Sequence, residues 1–305
     1  MQTEPNFFIV GAPKCGTTSL AGWLATHPQV YMSPVKEPYH FAADMGYTNF
    51  RDQKKYLSLF SNVPNEQIAI GEASAGYLYS RSAIKNILDK NSESKFIAIV
   101  RNPIEMAQSL HQQFVYDGDE TILSFEQAWQ AQEMRKKGIN IPKMTREPRF
   151  LLYFEACQLG SQIQKMYQMV NKHNRLILVL DDIRDNPRQE WLKIQQFLGI
   201  QDDQRIEFPT LNQAKKHKSQ NLAKLFNLQL RAREFFRVPS FGTGILQKLN
   251  THNIAKKKKA YSPSFHETLV KAFTNEIHLL EQLLDRDCSH WLTEHTDMEY
   301  SGTKQ

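Results

Sequence analysis

Short unbroken apolar runs alternate along the chain with segments whose apolar residues return every three or four positions. Phe7-Phe-Ile-Val10, closed by Gly11, is the first such run. A short run that is apolar at every position predicts a strand buried on both faces. Ile68–Gly71, Lys95–Val100 and Arg175–Leu180 predict three more, the second of them most clearly. After the first strand, Thr17 or Thr18 is placed to cap a helix that carries Leu20, Trp23 and Leu24 on one face and closes near His27-Pro28. Pro103 suits the first turn of a helix reaching about Val115, and another runs from about Pro187 to Leu198. Late in the chain Phe265, Leu269, Phe273, Ile277, Leu280 and Leu284 mark an amphipathic helix. Strands interleaved with helices predict an α/β protein of three layers, with a central, mostly parallel sheet flanked by helices.

Composition narrows the class. The 305 residues are 41% apolar and 23% charged, an ordinary globular balance. A chain this long buries roughly 75% of its unfolded surface, so its core needs no covalent staples. No repeat, low-complexity tract or linker interrupts it, and a single domain over 1–305 is expected. The longest apolar runs, Phe96–Val100 and Leu176–Leu180, are far too short to cross a membrane, and the first residues lack the pattern of a secretory signal. Cys15, Cys157 and Cys288 are too few and too scattered for a disulfide framework or a zinc site. A soluble, cytoplasmic protein without a metal is the expectation. The 38 Lys and Arg against 32 Asp and Glu give a formal charge of +6, compatible with an anionic ligand. Lys256–Lys259 and Lys215, Lys216 and Lys218 are the denser basic clusters. No nucleic-acid-binding module accompanies them, and nucleic acid is not an expected partner.

The segment Gly11-Ala-Pro-Lys14-Cys15-Gly16-Thr17-Thr18-Ser19-Leu20 lies between the first strand and the first helix. A helix start offers unpaired N–H groups and a positive dipole end to an anion. Gly16 permits close backbone approach, three hydroxyls add donors, and Lys14 adds a mobile charge. The fold is therefore expected to be P-loop-like, but with the lysine displaced from its place after the second glycine. An ATP-dependent enzyme also needs a strand-end Asp for magnesium. Here the clearest later strand ends in Arg101-Asn102-Pro103, which repels a metal and attracts a second phosphate. Both departures point away from a phosphotransferase and towards a metal-free anionic donor.

With these residues in view, Pro13–Leu20 resembles the 5′-phosphosulfate loop of the sulfotransferases that use 3′-phosphoadenosine 5′-phosphosulfate (PAPS). Val100-Arg101-Asn-Pro103 through Ser109 resembles their 3′-phosphate motif. The likeness continues through Pro34–Phe41, Gly71-Glu72-Ala-Ser74 and Asp181-Asp182-Ile-Arg184 to Leu283–Leu292. The pattern is that of the soluble, bacterial-type members, nearest in motifs to the carbohydrate and heparan-sulfate branch.

The resemblance implies PAPS as co-substrate and adenosine 3′,5′-bisphosphate (PAP) as product. It implies donor contacts from Lys14, Cys15, Gly16, Thr17, Thr18, Ser19, Arg101 and Ser109, and from a late basic loop in which Lys216 is the candidate. Lys14 would stabilise the leaving phosphate in an in-line displacement. Glu37, in Lys36-Glu37-Pro38, matches the glutamate that acts as base in the carbohydrate branch. His40 is the rival, since imidazole titrates near neutrality, with His111 a more distant one. Ala73 stands where that branch often carries a lysine, so a small metabolite, lipid or sugar precursor is a better acceptor than a polyanion. Phe235, Phe236 and Phe241 suit either an acceptor pocket or the core. A phosphotransferase, a nucleic-acid binder and an inactive PAP-binding protein are the competing readings.

Overall fold

A computed structural model describes residues 3–210 and 262–293. Five strands form one parallel sheet in the order β2-β3-β1-β4-β5: β1 (Phe7–Gly11), β2 (Val30–Met32), β3 (Ala69–Ala73), β4 (Lys95–Val100) and β5 (Arg175–Val179). Every neighbouring pair is parallel. β1 is buried at all five positions and β4 at all but Lys95, as a sheet covered on both faces requires. Ile97 and Ile99 are wholly buried, and truncating either to alanine costs about 2–5 kcal/mol.

The predicted strands recur with shifted ends. Ile68 is 52% exposed and precedes β3, which runs on to Ala73. Leu180 opens helix α9 (Leu180–Asp185) instead of closing β5. β2 was missed, because three residues with only Val30 buried leave no run to read. It forms the sheet edge, and there Tyr56, Leu57, Leu59 and Phe60 pack with Tyr31 and Ile70 in a satellite cluster. That cluster is built by α2 (Gln53–Leu57) and the 3₁₀ turn after it.

Two helices frame the crevice above β1 and β4. α1 (Thr17–Ala25) buries Leu20, Trp23 and Leu24, the face expected of it. α4 (Pro103–Asp117) begins at Asn102, whose side chain accepts from the Ile104 N–H at 2.9 Å, and stops at Gly118 with φ 76°. α3 (Ala83–Lys90), α5 (Phe125–Gln130), α6 (Gln132–Lys136), α7 (Tyr153–Ala156), α8 (Leu159–Met169) and α10 (Pro187–Leu198) complete the layers before the late helix. That helix, α11 (Pro263–Leu284), buries Phe265, Leu269, Phe273, Ile277 and Leu280 as the periodicity required. Glu276 of α11 accepts from the Ser161 N–H at 2.8 Å and the Ser161 hydroxyl at 2.6 Å, satisfying donors at the start of α8.

The chain leaves β1 towards β2 on one side, and after β3 it crosses to β4 on the other. The crevice beyond the carboxyl ends of β1 and β4 is therefore the topological switch point, where open α/β sheets bind ligands.

Candidate active site

The loop after β1 enters this crevice. Gly16 sits at φ 92°, in the left-handed region that favours glycine, and starts α1. The N–H groups of Ser19 and Leu20 both close on the Gly16 carbonyl, at 3.0 and 3.1 Å. Those of Gly16, Thr17 and Thr18 precede the first intrahelical bond and aim along the helix axis at the crevice. Cys15 belongs to the loop through its backbone alone. Its thiol is fully buried, donates to the Pro13 carbonyl at 3.4 Å, and is pushed by burial up to about 12. Thr17 and Ser19 are buried and Thr18 half-buried.

Lys14 is held at φ 64°, and its Nζ donates to Gln113 Oε1 at 3.0 Å. Burial holds its amine below the ordinary lysine range, with Arg101's charge acting the same way and Asp117 opposing. Gln113 Nε2 in turn donates to Asp117 Oδ1 at 2.9 Å. Asp117 is raised, chiefly by burial. This lysine–amide–carboxylate relay on α4 was not read from the sequence. Gln113 and Asp117 lie about three and four helical turns beyond Arg101, and only α4's placement across the loop brings them to Lys14.

Arg101 joins the two donor motifs. Its NH1 donates to the Lys14 carbonyl at 3.1 Å, and its NH2 pairs with Glu105 one turn along α4. Its buried Nε has no partner among the described residues, which is the kind of orphaned donor a phosphate would satisfy. Ser109 is half-buried on the same helix, two turns on. The neighbouring Asn102 Nδ2 donates to the Trp291 carbonyl at 3.1 Å, the Trp291 indole donates to Asp181 at 2.9 Å, and Arg286 pairs with Asp182 at 2.6 Å. The late motif and the Asp181–Arg184 motif thus meet as a brace behind the Arg101 turn.

Glu37 stands on a loop laid along the end of β3. Its N–H donates to the Ala73 carbonyl at 2.8 Å, and its Oε2 accepts from the Ala75 N–H at 2.8 Å. Lys36 pairs with Oε1, and the carboxylate stays partly open to solvent. The Tyr39 hydroxyl is pushed well above its ordinary value by burial and by the Glu37 charge. His40 is packed differently. Its ring stacks on Tyr56 at 4.0 Å, Nδ1 lies 2.6 Å from the Phe50 carbonyl, and burial lowers it. His111 is buried, with Nε2 2.8 Å from the Ile122 carbonyl. Lys215, Lys216, Lys218, Phe235, Phe236, Phe241 and Lys256–Lys259 lie outside the described residues.

A parallel sheet with an anion loop at its switch point, a lysine before the glycine and an arginine at the adjacent strand end define a nucleotide-dependent group-transfer fold. Within that class the family is specific. The sulfotransferase domain profile matches residues 4–269, and the chain belongs to that family. Carbohydrate sulfotransferase 15 of Mus musculus is 29% identical where 34% of this chain aligns with 26% of that protein. The bifunctional heparan sulfate N-deacetylase/N-sulfotransferase 1 of Caenorhabditis briggsae is 31% identical over 40% of this chain and 15% of its own length. The alignments thus span about a quarter or less of those relatives. A sulfotransferase crystal structure from Alicyclobacillus acidocaldarius superposes with a TM-score of 0.70 at 24% identity, covering 95% of this chain and 100% of that one, and shows the shared fold. Among the described residues no helix is long and apolar enough to cross a membrane.

Proposed function

We propose that this chain moves the sulfuryl group of PAPS onto a hydroxyl or amine of a small acceptor, releasing PAP. The observation that carries the proposal is the joint between the two donor motifs, Arg101 NH1 on the Lys14 carbonyl at 3.1 Å. It brings the start of α1 and the Arg101 strand end together at one crevice, which supports a subsite for a 5′-phosphate at the first and one for a 3′-phosphate at the second.

The 5′-phosphate would rest on the N–H groups of Gly16, Thr17 and Thr18, the Ser19 N–H being bonded to the Gly16 carbonyl, and the 3′-phosphate on Arg101 and Ser109. Lys216 is the candidate from the late basic loop. As the acceptor oxygen or nitrogen bonds to sulfur, the bridge between sulfur and the 5′-phosphate breaks. The charge left on that phosphate oxygen falls to Lys14, and the acceptor's proton to Glu37. The bonds from Ala75 and Lys36 fix the Glu37 carboxylate, which supports it as the base. His40 has one ring nitrogen on a carbonyl and a ring face on Tyr56, a packing role.

With Ala73 buried at the end of β3, the acceptor side lacks the lysine that a polyanion would meet. A small metabolite, lipid or sugar precursor fits this better. A cytoplasmic location belongs to the same proposal, supported by three buried cysteines that are all thiols. Transfer is proposed to need no metal, since Arg101 stands where a metal-binding Asp would be.

Calorimetric titration with PAP, ADP and ATP–magnesium tests the donor site. Micromolar or tighter binding that requires the 3′-phosphate supports the proposal, and stronger binding of ATP–magnesium overturns it. Glu37→Gln should keep PAP affinity while transfer from labelled PAPS falls roughly 10²–10⁴-fold. Undiminished transfer would hand the role of base to His40.

A further inference from the structure

Beneath the Glu37 loop lies a carboxylate for which the transfer reaction itself has no use. Glu72, on β3, is completely buried. Its Oε1 accepts from the hydroxyls of Tyr56 at 3.1 Å and Tyr77 at 2.9 Å, and its Oε2 from that of Ser74 at 3.0 Å. Two of these hydroxyls also reach the loop above. Ser74 Oγ accepts from the Tyr39 N–H at 3.2 Å, and the Tyr77 oxygen accepts from the Phe41 N–H at 3.2 Å.

A hydroxyl has one proton to give. While the Ser74 and Tyr77 protons point at an ionised Glu72, their lone pairs face the two backbone donors. The loop needs such anchors. Glu37 and Tyr39 stand at φ 59° and 54°, a region that side chains rarely adopt unless surrounding contacts hold them there. We propose that Glu72 is a positioning residue for the transfer reaction. By taking the protons of Ser74 and Tyr77 it polarises both hydroxyls towards the Tyr39 and Phe41 N–H groups, and so fixes the loop that presents Glu37 to the acceptor. The proposal rests on the reading of Glu37 as the base.

Two substitutions separate this role from simple packing. Glu72→Gln keeps the shape but replaces one acceptor oxygen with an N–H₂ donor, so Ser74 or Tyr77 must accept from that amide and turn its own proton away from residue 72, against the backbone donor it accepted from. Tyr77→Phe keeps the ring and deletes one link. For both variants, amide hydrogen exchange at Tyr39 and Phe41, PAP affinity, and transfer from labelled PAPS to phenol, glucosamine or water would be measured on the full chain above pH 7, where Glu72 is ionised. Amide exchange should quicken about tenfold or more at Phe41 in Tyr77→Phe and at Tyr39 or Phe41 in Glu72→Gln, while β1 and β4 stay protected. PAP affinity should stay within about twofold of the unmodified protein, and the transfer rate should fall about 10- to 100-fold. Unchanged loop exchange in both variants overturns the proposal. So does a loss of PAP affinity as large as the loss of transfer, which would mark Glu72 as a general structural support. Failure of the underlying reading looks different: Glu37→Gln would then transfer at the normal rate while the loop still responded to Glu72→Gln and Tyr77→Phe.

Discussion

The Lys14 ammonium is kept from water by burial and pressed by Arg101, so its charged form is disfavoured before any anion arrives. An arriving phosphate reverses that balance and raises the amine's pKa. PAP affinity should therefore be greatest where Lys14 is protonated and should weaken as pH rises through the free enzyme's depressed value, with proton uptake on binding. Calorimetry in buffers of differing ionisation heat reads this directly, and Lys14→Ala should abolish the uptake. The same substitution should lower the transfer rate more than PAP affinity, because the charge Lys14 meets grows in the transition state. Arg101→Ala should instead lower the preference for PAP over adenosine 5′-phosphate. Glu72 is shifted the other way, and its effect is read in stability. Burial, against three hydroxyl donors, pushes its carboxyl up to about 7. The folded state thus holds a proton that the unfolded chain has released, and stability drains away as pH rises from the ordinary carboxylate range to about 7. Its contribution is on the order of 3 kcal/mol, and the urea midpoint of Glu72→Gln should lack that part of the slope.

Helices and strands set these groups at their distances. α1 begins at a glycine with φ 92°, and Gly16→Ala should strain that turn by about 1–2 kcal/mol and weaken PAP binding with it. The Trp291 turn acts on α4 from behind. Its indole is 1% exposed and bonded to Asp181, while its carbonyl holds the residue that caps α4. Trp291→Ala should cost about 3–5 kcal/mol in thermal or urea unfolding and loosen the Arg101 subsite. At this scale the sequence was legible wherever local pattern decides structure. β1, β4, β5, α1, α4, α10 and α11 were visible as runs or periodicities, and the anion loop was visible from Lys14 to Ser19. β2 was not, being three residues with one buried. Gln113, Asp117, Ser74 and Tyr77 were not either, because their roles come from a helix crossing a loop and from a loop lying on a strand end. The resemblance placed Glu37 and Arg101, while the packing of His40 on Tyr56 could come only from three dimensions.

For the molecule as a whole, the order β2-β3-β1-β4-β5 puts the reversal of direction between β1 and β4, and both donor motifs hang from those two strands. The acceptor side grows from β3 next door, through Glu37 on the Ala73 carbonyl and the Ala75 N–H. On the proposed reading, three adjacent strands would present leaving-group charge, 3′-phosphate recognition and the base in one row. The hydrogen bond from Asn102 to Trp291 spans 189 positions of sequence. A ribosome makes the loop and the Arg101 turn long before the brace, at about 5–20 residues each second. A growing chain therefore carries both halves of its crevice for many seconds before the piece that steadies them emerges, and on the proposed reading it would reach full affinity for its donor only once Trp291 is in place.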